Sequence, residues 1–175
     1  MNCPSCGHEN MDGIDRCENC LAPFRQLDIP SADAAEGLAR SVMEDNLGQL
    51  DRDPPVCVAP DTSVLEVARL MKNSNSGCAL VVKDKKLVGI FTEHDVLLRM
   101  TRSPADLCSS NAGNIPVKDL MSHNPESLHE RDSVAEALNK MSLGRYRRIP
   151  FRNSDGTFSV ASIKSVLKYI AQEDW

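Results

Sequence analysis

Between residues 34 and 172 the apolar positions follow two rhythms, one helical and one strand-like, and the whole pattern occurs twice. Leu38, Val42 and Leu47 fall roughly on one face, which predicts a helix over about 34–47. A short extended piece at 56–58 comes next. Ser63-x-x-Glu66 then reads as a capping box opening a helix whose apolar face is Val64, Val67, Ala68 and Met71. Two strands are predicted at 78–82 and 87–91, joined by a charged turn, and a helix at about 93–101. The second copy repeats this order. An extended piece lies at 127–129, a capping box at Ser133-x-x-Glu136, and an apolar helix face at Val134, Ala137, Leu138 and Met141. Strands at 148–151 and 158–161 flank the turn Asn153-Ser154-Asp155-Gly156, and a helix covers 163–172. The two copies align without a gap at an offset of 70 residues: Leu50 with Leu120, Pro55 with Pro125, Met71 with Met141, Thr92 with Ser162, and Val96-Leu97 with Val166-Leu167. A period this long marks a duplicated domain rather than a solenoid.

Composition narrows the core and the partners. Hydrophobic residues are 41% of the 175 but aromatics only 4%, so the core must be Val, Leu, Ile, Met and Ala. Acids outnumber bases 25 to 20, so a surface that grips a phosphate backbone is not a global property. No apolar run approaches the length of a membrane span. The opening MNCPSCGHEN lacks a charged start followed by an apolar stretch, and a cytoplasmic location is expected.

Four of the seven cysteines sit in the first twenty residues, as Cys3-Pro-Ser-Cys6 and Cys17-Glu-Asn-Cys20. Each C-x-x-C can curl round a metal with both thiolates about 2.3 Å from it, and two such turns complete a tetrahedron. A segment this short buries no core, so metal must supply most of its folding free energy. The segment resembles the short zinc-ribbon family, CPxCG…CxxCG, with Leu21 in place of the second glycine. The resemblance implies structural zinc on Cys3, Cys6, Cys17 and Cys20. Residues 1–28 hold five acids (Glu9, Asp12, Asp15, Glu18, Asp28) against Arg16 and Arg25. A protein contact therefore suits this head better than nucleic acid.

The stretch Gly77-Cys78-Ala79-Leu80-Val81-Val82, followed by Leu87-Val88-Gly89-Ile90-Phe91-Thr92-Glu93-His94-Asp95, resembles a CBS domain, and the second copy is similar to a more divergent one. The expected fold is α/β (α+β), a tandem CBS pair with pseudo-twofold symmetry behind a four-cysteine zinc ribbon. The expected boundaries are 1–26 for the ribbon, 27–36 for a linker, 37–110 for the first repeat with its leading helix, and 111–175 for the second. The resemblance implies clefts for adenosine-containing ligands (AMP, ADP, ATP or S-adenosylmethionine). One cleft would use Thr92 and Asp95, with Arg147, Arg148, Ile149, Pro150, Ser127 and Leu128 from the second repeat. The other would use Ser162 and Ser165, and serine in place of Asp reaches ribose poorly. The second repeat also carries Arg145 and Arg152 near that arginine pair.

No nucleophile–base pair or open metal site appears in the sequence. The resulting expectation is a non-enzymatic regulatory module that senses an adenosyl ligand. It is expected to pair as a homodimer through helix faces around 67–71 and 137–141. Two alternatives stand beside it: a scaffold in which Thr92 and Asp95 only cap a helix, and a ribbon-mediated nucleic-acid regulator. His129 is assigned no role, and Cys57, Cys78 and Cys108 are read as idle thiols.

Overall fold

The structure is a computed structural model that describes residues 1–24, 37–51, 55–102 and 114–172. Cys108 and the whole 27–36 linker lie outside the described residues. After the cysteine head come α1 (Leu38–Glu44), β1 (Val56–Val58), α2 (Val64–Asn73), β2 (Cys78–Lys83), β3 (Lys86–Thr92) and α3 (Glu93–Arg102). The second copy holds β4 (Ser122–His123), β5 (Leu128–His129), α4 (Val134–Gly144), β6 (Arg148–Arg152), β7 (Phe158–Ser162) and α5 (Ile163–Gln172). Two compact units result, one of Pro54–Pro125 and one of Met1–Asp53 with Glu126–Trp175.

The Pro54–Pro125 unit is a four-stranded sheet in the order β1-β2-β3-β4, with β1 parallel to β2 and the other pairs antiparallel. Ser63 Oγ accepts from the Glu66 N–H at 3.3 Å and starts α2. Val64, Val67 and Met71 then face Val56, Val58, Ala79, Val81 and Phe91 in the core. Gly89 in β3 lets the Met121 side chain approach closely: a Cβ there would lie 2.1 Å from the Met121 sulfur, which would have to move.

The other unit is a three-stranded sheet, β5-β6-β7, with β5 parallel and β7 antiparallel to β6. Ser133 Oγ caps α4 through the Glu136 N–H at 3.1 Å. Val134, Ala137 and Met141 pack on Leu128, Ile149, Phe151 and Val166. The segments at 67–71 and 137–141 thus spend Val67, Met71, Ala137 and Met141 on the two cores: Val67 and Ala137 are 0% exposed. The large apolar side chains left on the surface are others, among them Leu65, Leu70, Leu97, Leu143 and Leu167.

The two repeats exchange their leading segments. Leu47–Gln49 and Val117–Asp119, 70 residues apart, both form single 3₁₀ turns. The Leu47 N–H donates to the Asp132 carbonyl and that of Gly48 to Glu130, while Val117 donates to Thr62 and Lys118 to Pro60. The segment before the first repeat therefore packs with the second repeat's strands, and the segment before the second packs with the first's. Leu47 and Leu50 join the core of Leu128 and Phe151, and Val117 and Met121 join that of Val58 and Val81. Tyr169 of α5 donates to Asp45 at the end of α1, reinforcing the exchange.

Candidate functional site

The cysteine head is two near-identical turns. In each, the N–H of the first cysteine donates to the carbonyl five residues on (Cys3 to His8, Cys17 to Ala22). Its own carbonyl accepts the N–H four residues on, from Gly7 and Leu21. That closing residue must be left-handed, with φ +75° at Gly7 and +61° at Leu21. Leu21 so adopts the conformation that glycine takes freely. Asn10, buried between the turns, donates to the His8 carbonyl and accepts from the Glu18 N–H, locking one turn to the other.

The result brings all four sulfurs within 4.8 Å of one another. Cys3 Sγ lies 3.6 Å from Cys20 Sγ, and Cys6 Sγ 3.7 Å from Cys17 Sγ. Four thiolates on a metal at about 2.3 Å stand about 3.8 Å apart, so the cage has the dimensions of a tetrahedral thiolate site. Electrostatics divide the cysteines. Burial works against a charge on Cys17, yet the N–H groups of Cys20 and Asn19 outweigh it and draw the thiol down to about 6. Burial pushes the Cys3 thiol well above its ordinary value, against N–H groups of Cys6 and Ser5. A thiolate at Cys3 would therefore need a cation beside it.

The head is seated on the second repeat's sheet, which the sequence did not indicate. Ser5 Oγ and Ser127 Oγ are 2.6 Å apart and buried. His129 Nε2–H donates to the Asn2 carbonyl at 2.9 Å, which fixes its tautomer. The Cα-side space of Gly7 abuts the Arg152 guanidinium.

Thr92 and Asp95 meet where β3 runs into α3. The Thr92 N–H and Oγ1–H both donate to Asp95 Oδ2, at 2.9 and 2.7 Å, and the Asp95 N–H returns to Thr92 Oγ1 at 3.3 Å. Ser122 Oγ reaches Asp95 Oδ1 at 3.4 Å. The carboxylate is thereby held at a helix N-terminus with only 8% of the residue exposed. The same joint in the second repeat is smaller. Ser165 Oγ accepts from the Ser162 N–H at 2.9 Å and donates to the Ser162 carbonyl at 2.8 Å. Both hydroxyls are buried and no carboxylate replaces Asp95.

The remaining predicted residues divide by burial. Arg147 is exposed and Arg148 half-buried at the start of β6, where Arg148 pairs with Ser162, as Cys78 pairs with Thr92 in the first repeat. Ile149 and Leu128 are core side chains, and Pro150 is fully buried. Ser127 is engaged by Ser5.

The CBS domain family pattern matches residues 47–102 and 117–172, and the chain belongs to that family. A CBS domain-containing protein of Arabidopsis thaliana, CBSCBSPB1, is 35% identical over 104 residues, covering 57% of this chain and 17% of the relative. An uncharacterized 33.4 kDa protein in a ribosomal RNA operon of Thermofilum pendens is 31% identical over 126 residues, 71% of this chain and 39% of that protein. The chain thus spans less than half the length of these two relatives. Among solved structures, an uncharacterized conserved protein from Pyrococcus horikoshii shares the fold at a TM-score of 0.62 and 24% identity, over 76% of this chain and 96% of its own. A CBS domain protein from Pyrobaculum aerophilum complexed with AMP does so at 0.58 and 22%, over 74% and 100%. The CBS domain pair of protein MJ0100, in complex with 5-methylthioadenosine and S-adenosyl-L-methionine, does so at 0.60 and 19%, over 74% and 98%. Among the described residues no helix is long and apolar enough to cross a membrane.

Proposed function

We propose that this chain is a non-enzymatic regulatory module of the cytoplasm, in which the CBS pair senses an adenosyl ligand (AMP, ADP, ATP or S-adenosylmethionine) and a structural zinc ion organises the head. The observation that carries the reading is the Thr92–Asp95 joint: a carboxylate fixed at the N-terminus of α3, of the kind that accepts both ribose hydroxyls, beside helix N–H groups that suit a phosphate. AMP and S-adenosyl-L-methionine in two proteins of the same fold support the ligand class. Thr92 and Asp95 are assigned to the ribose, and Arg147 and Arg148 to phosphate, where the planar guanidinium fork fits. Ile149, Pro150, Ser127 and Leu128 are assigned to the strand wall. Ile149 and Leu128 turn their side chains to the core, so they offer their backbone. Ser162 and Ser165 are read as a site that binds weakly or not at all.

Cys3, Cys6, Cys17 and Cys20 hold the zinc. Four thiolates leave no open position for substrate, so its role is to fold the head. A homodimer is proposed through the helices that keep Leu65, Leu70, Leu97, Leu143 and Leu167 exposed. The head's acidic surface is assigned to contact with a protein rather than nucleic acid.

A thermal-shift panel of AMP, ADP, ATP, adenosine and S-adenosylmethionine tests the reading. A ligand at about 100 times its dissociation constant stabilises the fold by about 2.7 kcal/mol. No shift with any of them contradicts it and favours a scaffold. One observation speaks for that second reading: the reciprocal hydrogen bonds of Thr92 and Asp95 already make a complete helix cap without any ligand.

A further inference from the structure

Arg152 is a cation of the second repeat that the adenosyl reading leaves unused. It ends β6, and its guanidinium lies 5.5 Å from the centre of the Phe158 ring, a cation–π distance. The ring on one side, Gly7 of the head, and Gly156 of the β6–β7 turn surround it; Cβ atoms at either glycine would come within 3.6 Å. Its Nη1 is buried and has no hydrogen-bond partner among the described residues. Buried groups of this type are almost always satisfied, by an ion or water where protein does not serve.

The guanidinium borders a pocket of about 430 Å³, walled by Asn2 and Gly7 of the head, by His129 of β5 and Arg131 after it, and by the turn 153–156. Arg131 is exposed, and neither it nor Arg152 forms an ion pair among the described residues. Two acids share the wall, but each is committed to the turn. Glu130 Oε2 accepts from the Ser154 N–H and Oγ–H at 2.8 and 2.7 Å. Asp155 Oδ1 accepts from the Thr157 N–H and Oγ1–H at 2.8 and 2.6 Å. Two arginines and two carboxylates therefore share the lining of the pocket. Two arginine charges match a phosphate dianion. The carboxylates repel further anionic groups and accept hydrogen bonds from hydroxyls. The size is that of a small-molecule site.

The geometry points to a second binding site, separate from the Thr92–Asp95 joint, that takes a small phosphate monoester bearing hydroxyl groups, with its phosphoryl group on Arg152 and Arg131. It lies wholly within one unit and stands whether or not the adenosyl reading does. Because Asn2 and Gly7 flank Cys3 and Cys6, the ligand would also clamp the cysteine head to the repeat.

Calorimetric titration of the full chain with ribose 5-phosphate tests this, with ribose and inorganic phosphate as controls. The expected result is saturable binding of one ribose 5-phosphate per chain, no binding of ribose, and weaker binding of inorganic phosphate. Arg152→Gln is expected to weaken binding at least tenfold, and Arg131→Gln, at an exposed position that leaves folding intact, severalfold. Asp95→Ala is expected to bind as the wild type does. Absence of saturable binding overturns the site, as does wild-type affinity in Arg131→Gln. Equal affinity for inorganic phosphate overturns the role of the two carboxylates. Loss of binding in Asp95→Ala assigns the ligand to the other site and overturns this one.

Discussion

Ser5 Oγ and Ser127 Oγ, 122 residues apart in the chain, form a buried 2.6 Å hydrogen bond that joins the first cysteine turn to the start of β5. Ser5 lies between Cys3 and Cys6, so its position depends on the fold of the head. Ser127 leads into the core strand residue Leu128. A hydroxyl pair of this kind makes the head part of the unit.

Removing one member strands the other. Ser5→Ala is expected to cost about 1–3 kcal/mol, because the buried Ser127 hydroxyl loses its partner. The double variant Ser5→Ala with Ser127→Ala is expected to recover part of that loss. Urea melts of the four species give the coupling energy, and strictly additive losses would contradict it.

Metal is expected at one zinc per chain. Cys17→Ser removes one of four thiolates, and the expected outcome is loss of the metal and unfolding of residues 1–24, with both sheets retained. Metal analysis together with backbone NMR spectra reads both. Stoichiometric zinc in this variant would count against the four-cysteine site.

Leu21 holds a left-handed backbone at φ +61° with its side chain exposed. A left-handed L-residue costs about 1–2 kcal/mol, of which glycine's greater unfolded-chain freedom returns about half. Leu21→Gly is expected to tighten metal binding by a few-fold in a chelator competition. Unchanged or weaker binding would show that the second turn is not strained.

Burial, with Asp132 nearby, holds the Glu136 carboxyl above its ordinary range, against Lys140 and His129. The folded state thus favours the protonated form. Its contribution to stability is present below the unfolded-chain value near 4.5 and is lost as pH rises through the raised value. Glu136→Gln is expected to flatten the fall in melting temperature across that window. The same slope in both proteins would contradict the assignment.

Much of this fold was legible because local chemistry and global packing agree. The capping boxes at Ser63 and Ser133 start α2 and α4 where the pattern places them. The apolar faces at Val67 and Ala137 are buried as their helical spacing requires. The exchange of leading segments was not legible. Leu47 and Val117 occupy the same place in two similar repeats, and nothing local says which sheet each covers. β4 was missed because Ser122 and His123 are short, polar and exposed. The cysteine cage was readable from spacing alone, but its seat was not. Ser127, His129 and Arg152 carry no pattern that marks them as contacts for residues more than a hundred positions away.

The difference between the two joints is the sharpest consequence for ligand binding. Ser165→Ala removes the hydroxyl that accepts from the Ser162 N–H at the start of α5, with an expected loss of about 1 kcal/mol of stability and no change in AMP affinity. Loss of AMP binding in that variant would place the ligand at the second joint.

Titration of the full chain with AMP by calorimetry, wild type against Asp95→Ala at matched folded fraction, tests the central claim most directly. The adenosyl-sensing account predicts saturable binding to the wild type and at least a tenfold loss in Asp95→Ala. Equal affinity in the two proteins, or no binding to the wild type, would contradict it.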